Sequence, residues 1–364
     1  MGMKAESAGI QASRVREERL HAARRVIQAG KDHQAELLLV TGDIFEDNAV
    51  DRLLVRQVGE ILRAFPGQVV IIPGNHDPLV PGSVWEHAVW QESANIVICR
   101  EEAPIPLDSC ILYPCPLRQK YSTRNPTAWI APQIASHTSS LPAIGLAHGN
   151  VEGLPSLEPD YPIPRSAAAQ LGLDYLALGH WHSFARYEDT PGTCRMAYAG
   201  THETTKFGER DSGNVLLIEI AGRGSVPLIT PIKTGGLSWV SLEAHLQSPA
   251  DLAHTLASLN ALPNPASTLV RLQLGGILFL ENQPTFDTLK QILQTRFLHE
   301  RLDTAALAPA PTDSSWIDAL PAGPLRETAS RLQNLSLSTA EENQRNVAIH
   351  ALLQLFDLQR KAVE

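Results

Sequence analysis

The sequence predicts a layered α/β fold: two stacked sheets flanked by helices in a four-layer sandwich, then a small α/β cap domain and a helical tail. Three observations predict it. Short apolar runs stop abruptly at polar clusters, the sharpest being Gln68-Val-Val-Ile-Ile-Pro-Gly-Asn-His-Asp77. Amphipathic helical stretches alternate with these runs through the first half of the chain. Beyond residue 184, apolar residues come in short alternating segments broken by Gly or Pro, as antiparallel strands do.

Residues 1–13 lack periodicity and read as an unstructured start, with Met1-Gly2-Met3 resembling a cloning remnant. A helix is expected over 15–29, with Val15, Leu20, Ala23, Val26 and Ile27 near one face and Gly30 as its stop. A strand then runs into Asp43. The next helix, 50–64, carries Leu53, Leu54, Val58, Ile61 and Leu62 and returns to a strand at 69–72, a right-handed βαβ crossover. The β-branched residues of that strand suit a buried sheet, and Pro73 and Gly74 break it so that Asn75, His76 and Asp77 project from a tight loop. Ser83 is placed to cap a short helix through Trp90. Short strands follow at 96–98 and 111–113, a loop and helix at 122–140, and strands at 142–147 and 175–178. Segments 184–187, 196–199, 215–220 and 226–232 are expected to form one antiparallel meander, the second sheet.

Composition shifts near Gly235-Gly236, which places a domain boundary there and gives a main domain of 1–235. The cap domain, 236–304, alternates strand 239–242, helix 249–259, strand 268–274, helix 285–295 and strand 297–302, with no catalytic cluster. Residues 305–364 read as an Ala- and Pro-rich linker to about 323, a helix over 325–335, and a last helix to about 363. In that helix Val347, Ala351, Leu352, Leu355 and Phe356 form an apolar stripe.

The chemistry sits at strand ends. One run ends in Gly42-Asp43, one in Gly74-Asn75-His76-Asp77, one in Ala147-His148-Gly149, and one in Gly179-His180-Trp181-His182. Carboxylate oxygen, amide oxygen and neutral imidazole nitrogen together suit borderline divalent metals such as Mn, Fe or Zn. A lone histidine after an apolar run is ordinarily a loop residue; four such strand ends in one chain point to a site. His180 and His182 are two apart, so in extended backbone both imidazoles point one way and Trp181 the other.

The order GD, GNHD, AHG, GHWH resembles the calcineurin-like metallophosphoesterases, and Gly42-Asp-Ile-Phe-Glu46 with the GNHD loop is similar to their DNA-repair exonuclease branch, the SbcD-type nuclease subunits. Ser/Thr phosphatases of that superfamily have an Asp-Arg pair after the GD and Glu after the GNH; here Asp47-Asn48 and Asp77 stand instead. The resemblance, over about residues 14–235, implies two metals about 3.5 to 4 Å apart that hold a nucleophilic hydroxide and clamp a phosphoryl group. It implies that Asp43 bridges them, that Asn75, His148 and His180 complete one metal (M2), and that His182 serves the other (M1). His76 is then the acid for the leaving oxygen. Asp77 either orients His76 or caps the turn, and Glu46 and Asp47 are expected to cap the following helix. His202, in the loop 200–210, is a loop histidine that could add a ligand.

The resemblance implies a Mn-dependent phosphodiesterase acting on DNA ends with an ATPase partner of the SbcC type. The C-terminal stripe, which follows a linker, either packs on its own cap domain, the favoured reading, or is a docking helix for that partner. A phosphatase or small-molecule phosphodiesterase, or a catalytically weakened scaffold, are the other readings. The net charge of −9 excludes nucleic-acid binding by bulk electrostatics, so DNA contacts must be local. Arg118, Lys120, Tyr121 and Arg124 offer cations beside a stacking face, and Arg14, Arg16, Arg19, Arg24 and Arg25 a second, charge-interleaved stretch. Cys99, Cys110, Cys115 and Cys194 have no CxxC spacing and are expected as reduced fillers. With no membrane span or signal segment, a cytoplasmic protein is expected, with a homodimer as one expected assembly. In the family an opening strand ends in Asp-x-His and supplies M1; none precedes Asp43. The expectation is a start codon set too far downstream, rather than a weakened one-metal member, and a chain that as it stands binds about one metal.

Overall fold

The computed structural model describes residues 11–136, 139–153, 160–279, 282–309, 315–338 and 342–363. The chain divides into two compact units, Met1–Leu237 and Ser238–Glu364, so the boundary falls just past the glycine pair. Residues 1–10 lie outside the described residues, as does part of the expected linker.

In the first unit, α1 (Ala12–Asp32) leads into β1 (Leu37–Thr41), and α2 (Arg52–Arg63) connects it to β2 (Gln68–Ile72). Helix α1 runs past Gly30 because that glycine is a packing residue, not a stop. A Cβ there would collide with the Phe65 ring. Helix α2 is capped by Asp51, whose side chain accepts from the Leu53 amide, so the cap expected of Glu46 or Asp47 comes from further along. Strands β1 and β2 pair in parallel, with β3 (Ile96–Ile98) beyond β2. The pairing of Thr41 with Ile72 brings the loops that follow to one level. Instead of one helix capped by Ser83, the chain makes two 3₁₀ turns, Val84–Glu86 and Ala88–Trp90.

The second sheet has six strands in the order β4-β5-β6-β7-β9-β8: β4 (Ile105–Pro106), β5 (Ile111–Pro114), β6 (Ala143–His148), β7 (Tyr175–Gly179), β8 (Ala185–Thr190) and β9 (Thr193–Tyr198). Strands β5, β6, β7 and β9 are parallel, and only the outer strands are antiparallel to their neighbours. The expected single meander therefore divides. Strand β9 joins β7 because Met196, Ala197 and Tyr198 are buried and extend its apolar surface. Strands β10 (Asn214–Glu219) and β11 (Leu228–Lys233) form a separate antiparallel pair.

Period-two alternation builds the layers. Val69 and Ile71 of β2 face α1 and α2 through Ile27, Val55, Val58 and Ile61. Val70 and Ile72 face the second sheet through Leu112, Ile144, Leu146, Tyr175 and Ala177. Leu176, Leu178 and Tyr113 then point outward to α3 (Ile130–Ser136) and α4 (Ala167–Leu171), completing helix, sheet, sheet, helix. Among the described residues, strand β1 pairs only with β2, and its five residues are half-buried where β2 is buried from Val69 to Ile72. Along its other side, toward β10, runs a cavity of about 530 Å³ lined by Leu37, Leu39, Tyr175, Ala177, Leu216 and Ile218. The four cysteines are free, three of them buried.

The second unit is a parallel three-stranded sheet, β12 (Ser238–Leu246), β13 (Thr268–Leu278) and β14 (His299–Pro309), with α5 (Pro249–Asn260) and α6 (Gln283–Arg296) as crossovers. Ser248 and Asp251 form a capping box at α5. Strand β14 continues to Pro309 and a helix begins at Ser315, so neither 305–309 nor 315–318 is the linker expected over 305–323. Helices α7 (Ser315–Asp318), α8 (Pro324–Ser336) and α9 (Glu342–Val363) end the unit. Leu352 and Leu355 of the stripe pack on Ile317, Leu320 and Ala329, and the Phe356 ring meets Trp316 edge-on at 5.2 Å, while Val347 is exposed. Leu352, Leu355 and Phe356 of the stripe are thus covered within their own unit, the favoured of the two readings of the stripe. Phe356→Ala should lower the stability of this unit by about 1 to 2 kcal/mol, the scale of a half-buried aromatic contact. An unchanged denaturation midpoint would show that the ring contributes nothing there.

Candidate metal centre

Two tight turns bring the ligands together. Gly42 has φ +86°, and a Cβ on it would run into the His148 ring and the Gly74 backbone. A Cβ on Gly74 would enter the Asp43 carboxylate. Two of the ligand residues are held in unusual backbone conformations, Asp43 after Gly42 at φ 55° and His180 after Gly179 at φ 106°, of the kind that concentrate at functional sites.

Asp43, His148 and His180 each place a ligand atom within 4.8 Å of the others. His148 Nε2 lies 3.2 Å from Asp43 Oδ2 and 2.9 Å from Asn75 Oδ1, and His180 Nδ1 is 3.2 Å from the same Asn75 oxygen. His148 Nδ1 is 2.7 Å from the Thr41 carbonyl, which accepts its proton, so the neutral ring turns its Nε2 lone pair inward. Asn75 Nδ2 donates to Asp160 at 3.3 Å, which turns the amide oxygen inward. A carboxylate, an amide oxygen and two imidazole nitrogens therefore converge on one point. Only a cation, or a proton in its stead, makes that arrangement favourable, and the donor set fits Mn, Fe or Zn.

The charges agree. Against the burial that would raise it, His148 beside it and the His76 amide hold Asp43 below the usual carboxylate range. Burial works against protonation of His148, but Asp43 prevails and raises its pKa, so a proton can hold the metal's place. Burial, aided by His148, pushes His180 down to about 4 and keeps its lone pair available.

The other sequence-predicted residues stand around this cluster. His76 donates its backbone N–H to Asp43 Oδ1 at 2.8 Å, while its side chain faces Glu46: Nδ1 is 3.0 Å from the Glu46 carbonyl and 3.7 Å from its carboxylate. Asp77 does not meet His76. It is fully buried and accepts from the amides of Gly74 at 2.7 Å, Phe45 at 3.1 Å and Asp43 at 3.2 Å, so it splints the GD loop to the GNHD loop. Burial, with Asp43 nearby, pushes it up to about 6. Its role is the turn-capping alternative, extended across two loops. Asp77→Ala leaves three amides without their acceptor and should cost at least ~2 kcal/mol, read as a lower denaturation midpoint of metal-free protein. No change would remove the splint.

His182 lines a cavity of about 550 Å³ together with Asp43, His76 and His180 but stays outside the cluster, its Nδ1 2.8 Å from Glu209 Oε1. Glu209 is held in turn by the amide and hydroxyl of Thr205. His202 has its Nε2 3.0 Å from the Arg19 carbonyl, and burial pushes it down to about 4. Sequence reasoning missed Asp160, Glu209 and the Thr41 carbonyl, and it gave Glu46 the wrong task. No motif quoted above includes Asp160 or Glu209, and a backbone carbonyl leaves no trace in residue type.

A four-layer α/β sandwich with carboxylate, amide and imidazole ligands gathered at its strand ends is the frame of a metal-dependent hydrolase. Residues 16–184 match the family model of the calcineurin-like phosphoesterases, a little under half of the chain. The chain is also similar to YhaO of Bacillus subtilis (strain 168), described as an uncharacterized metallophosphoesterase: 26% identity over 181 residues, 47% of this chain and 42% of the relative. The match thus spans less than half of that relative's length. No described helix is long and apolar enough to cross a membrane.

Proposed function

We propose that the protein hydrolyses phosphodiesters with a bound divalent ion, Mn first, and acts on DNA ends with an ATPase partner. The observation that carries the hydrolytic reading is the convergence of Asp43, Asn75, His148 and His180 on one point. Asp43, Asn75, His148 and His180 would hold the ion, which when bound would supply Lewis acidity and activate water. The rest is done by the chain. The Thr41 carbonyl and Asp160 fix the orientation of His148 and Asn75, and the Glu46 carbonyl holds His76 Nδ1, which leaves Nε2 to face the substrate's leaving oxygen.

DNA as the substrate rests on the Gly42-Asp-Ile-Phe-Glu46 and GNHD resemblance and on the stretch 118–124. Tyr121 is 63% exposed, and the Lys120 ammonium lies 5.7 Å from its ring centre, a stacking platform beside a cation. Arg118 donates to the Arg100 carbonyl at 2.6 Å, and Arg124 pairs with Glu102 at 3.0 Å, which spends part of the local positive charge. The net charge of −9 favours a second reading, a small-molecule phosphodiesterase on the same metal. Hydrolysis with Mn of a generic phosphodiester, a phosphomonoester, and duplex and single-stranded DNA separates them. Faster turnover of DNA ends than of the small diester supports the nuclease, the reverse order the second reading, and preference for the monoester overturns both.

A further inference from the structure

The largely exposed strip 118–124 and the metal cluster are tied to one dipeptide. Asp160 accepts from Asn75 Nδ2 at 3.3 Å, and the next residue, Tyr161, holds the strip. Its backbone N–H donates to the Ser122 carbonyl at 2.8 Å, and its hydroxyl donates to the Gln119 carbonyl at 2.7 Å. Those two carbonyls flank Lys120 and Tyr121, the cation and the stacking face. Among the described residues, no other hydrogen bond ties the backbone of 119–123 to another element. Tyr161 is itself firmly set. It is 6% exposed, its carbonyl accepts from the Asn150 amide at 3.2 Å, and its φ of 49° lies in the left-handed region that a tyrosine seldom adopts. A Cβ on Gly149, the residue after the ligand His148, would run into the Tyr161 carbonyl. Strained backbone persists only where its surroundings hold it, and here they hold it between a metal ligand and a surface strip.

We propose that Tyr161 is a positioning residue for a polymeric substrate: it fixes Lys120 and Tyr121 to the dipeptide that orients Asn75, so a nucleotide stacked on Tyr121 and the phosphodiester at the metal are held in one register. This rests on the DNA reading above. A platform fixed beforehand binds better than a loose one, which loses conformational freedom when its ligand arrives. A small diester has no second nucleotide to stack, so it gains nothing from the anchor. The Tyr161 hydroxyl takes no part in the reaction.

The test uses the whole protein with Mn, a fluorescent single-stranded oligonucleotide for affinity and cleavage, and bis(p-nitrophenyl) phosphate as the small diester. Tyr161→Phe keeps the ring and removes the bond to Gln119, an exposed residue whose carbonyl water can satisfy, so the melting temperature should hold. Oligonucleotide affinity should fall about three- to tenfold, and KM for its cleavage should rise more than kcat falls, while small-diester turnover and Mn content stay unchanged. Tyr121→Ala should weaken oligonucleotide binding at least as much. The double variant should then lose less than the product of the two single losses, because the anchor acts through that ring. Losses that simply multiply, an equal loss on the small diester, or a melting temperature that drops together with both activities overturns the proposal. Affinity that falls in Tyr121→Ala but not in Tyr161→Phe leaves the DNA reading standing and removes the anchor. Affinity that neither variant changes defeats the DNA reading of the strip, and the anchor with it.

Discussion

His148→Ala should empty the metal centre and stop hydrolysis. The ring is fully buried, touches both oxygen ligands, and is locked by the Thr41 carbonyl, so no neighbour can swing in to replace it. Losing even an outer partner of a ligand typically costs about 10 to 100-fold in metal affinity, and a ligand itself should cost more. The measurement is Mn content after dialysis, set beside a melting curve. Because truncating a buried side chain also opens a cavity, the variant will lose some stability, and the comparison must be made on folded protein. Equal Mn occupancy in wild type and His148→Ala would sink the centre as described. Metal uptake should also fall as pH drops, since the raised His148 pKa lets a proton compete for the same nitrogen.

The four ligand loops were legible because each joins two strong local signals, an apolar strand and a glycine-broken turn. Asp43, Asn75, His148 and His180 needed nothing beyond residue type and strand context to be found. The layered core was legible for the same reason: Val69 to Ile72 alternate between two faces, and both faces are apolar. What the sequence hid is tertiary. That β9 would add to β7 in parallel, instead of extending a meander, depends on which buried edge lies nearest, and no period in the sequence encodes that. Asp77 looked like a partner for the histidine beside it, yet adjacent side chains diverge and its carboxylate turned to the amides of two loops. Glu46 looked like a helix cap, but Asp51 was better placed, which left Glu46 beside His76. Arg19 was read as one of a run of surface arginines; the helical period that buries Val15 and Ala22 buries it too.

His76→Ala should keep the metal and lose turnover. Its contribution to the centre runs through its backbone N–H, which donates to Asp43 Oδ1 and survives truncation of the side chain. The imidazole itself makes no contact with the cluster; it leans on Glu46 and lines the cavity shared with Asp43, His180 and His182. A proton donor placed there acts on the leaving oxygen, and removing a positioned acid usually costs about 10² to 10⁴-fold in rate. The loss should shrink for a diester whose leaving group is so acidic that it departs without a proton, and that dependence on the leaving group is what distinguishes an acid from a binding residue. Mn content measured on the same preparation closes the argument. A variant that loses rate and metal together would make His76 a ligand, and one equally impaired on all leaving groups would make it a phosphate-binding residue.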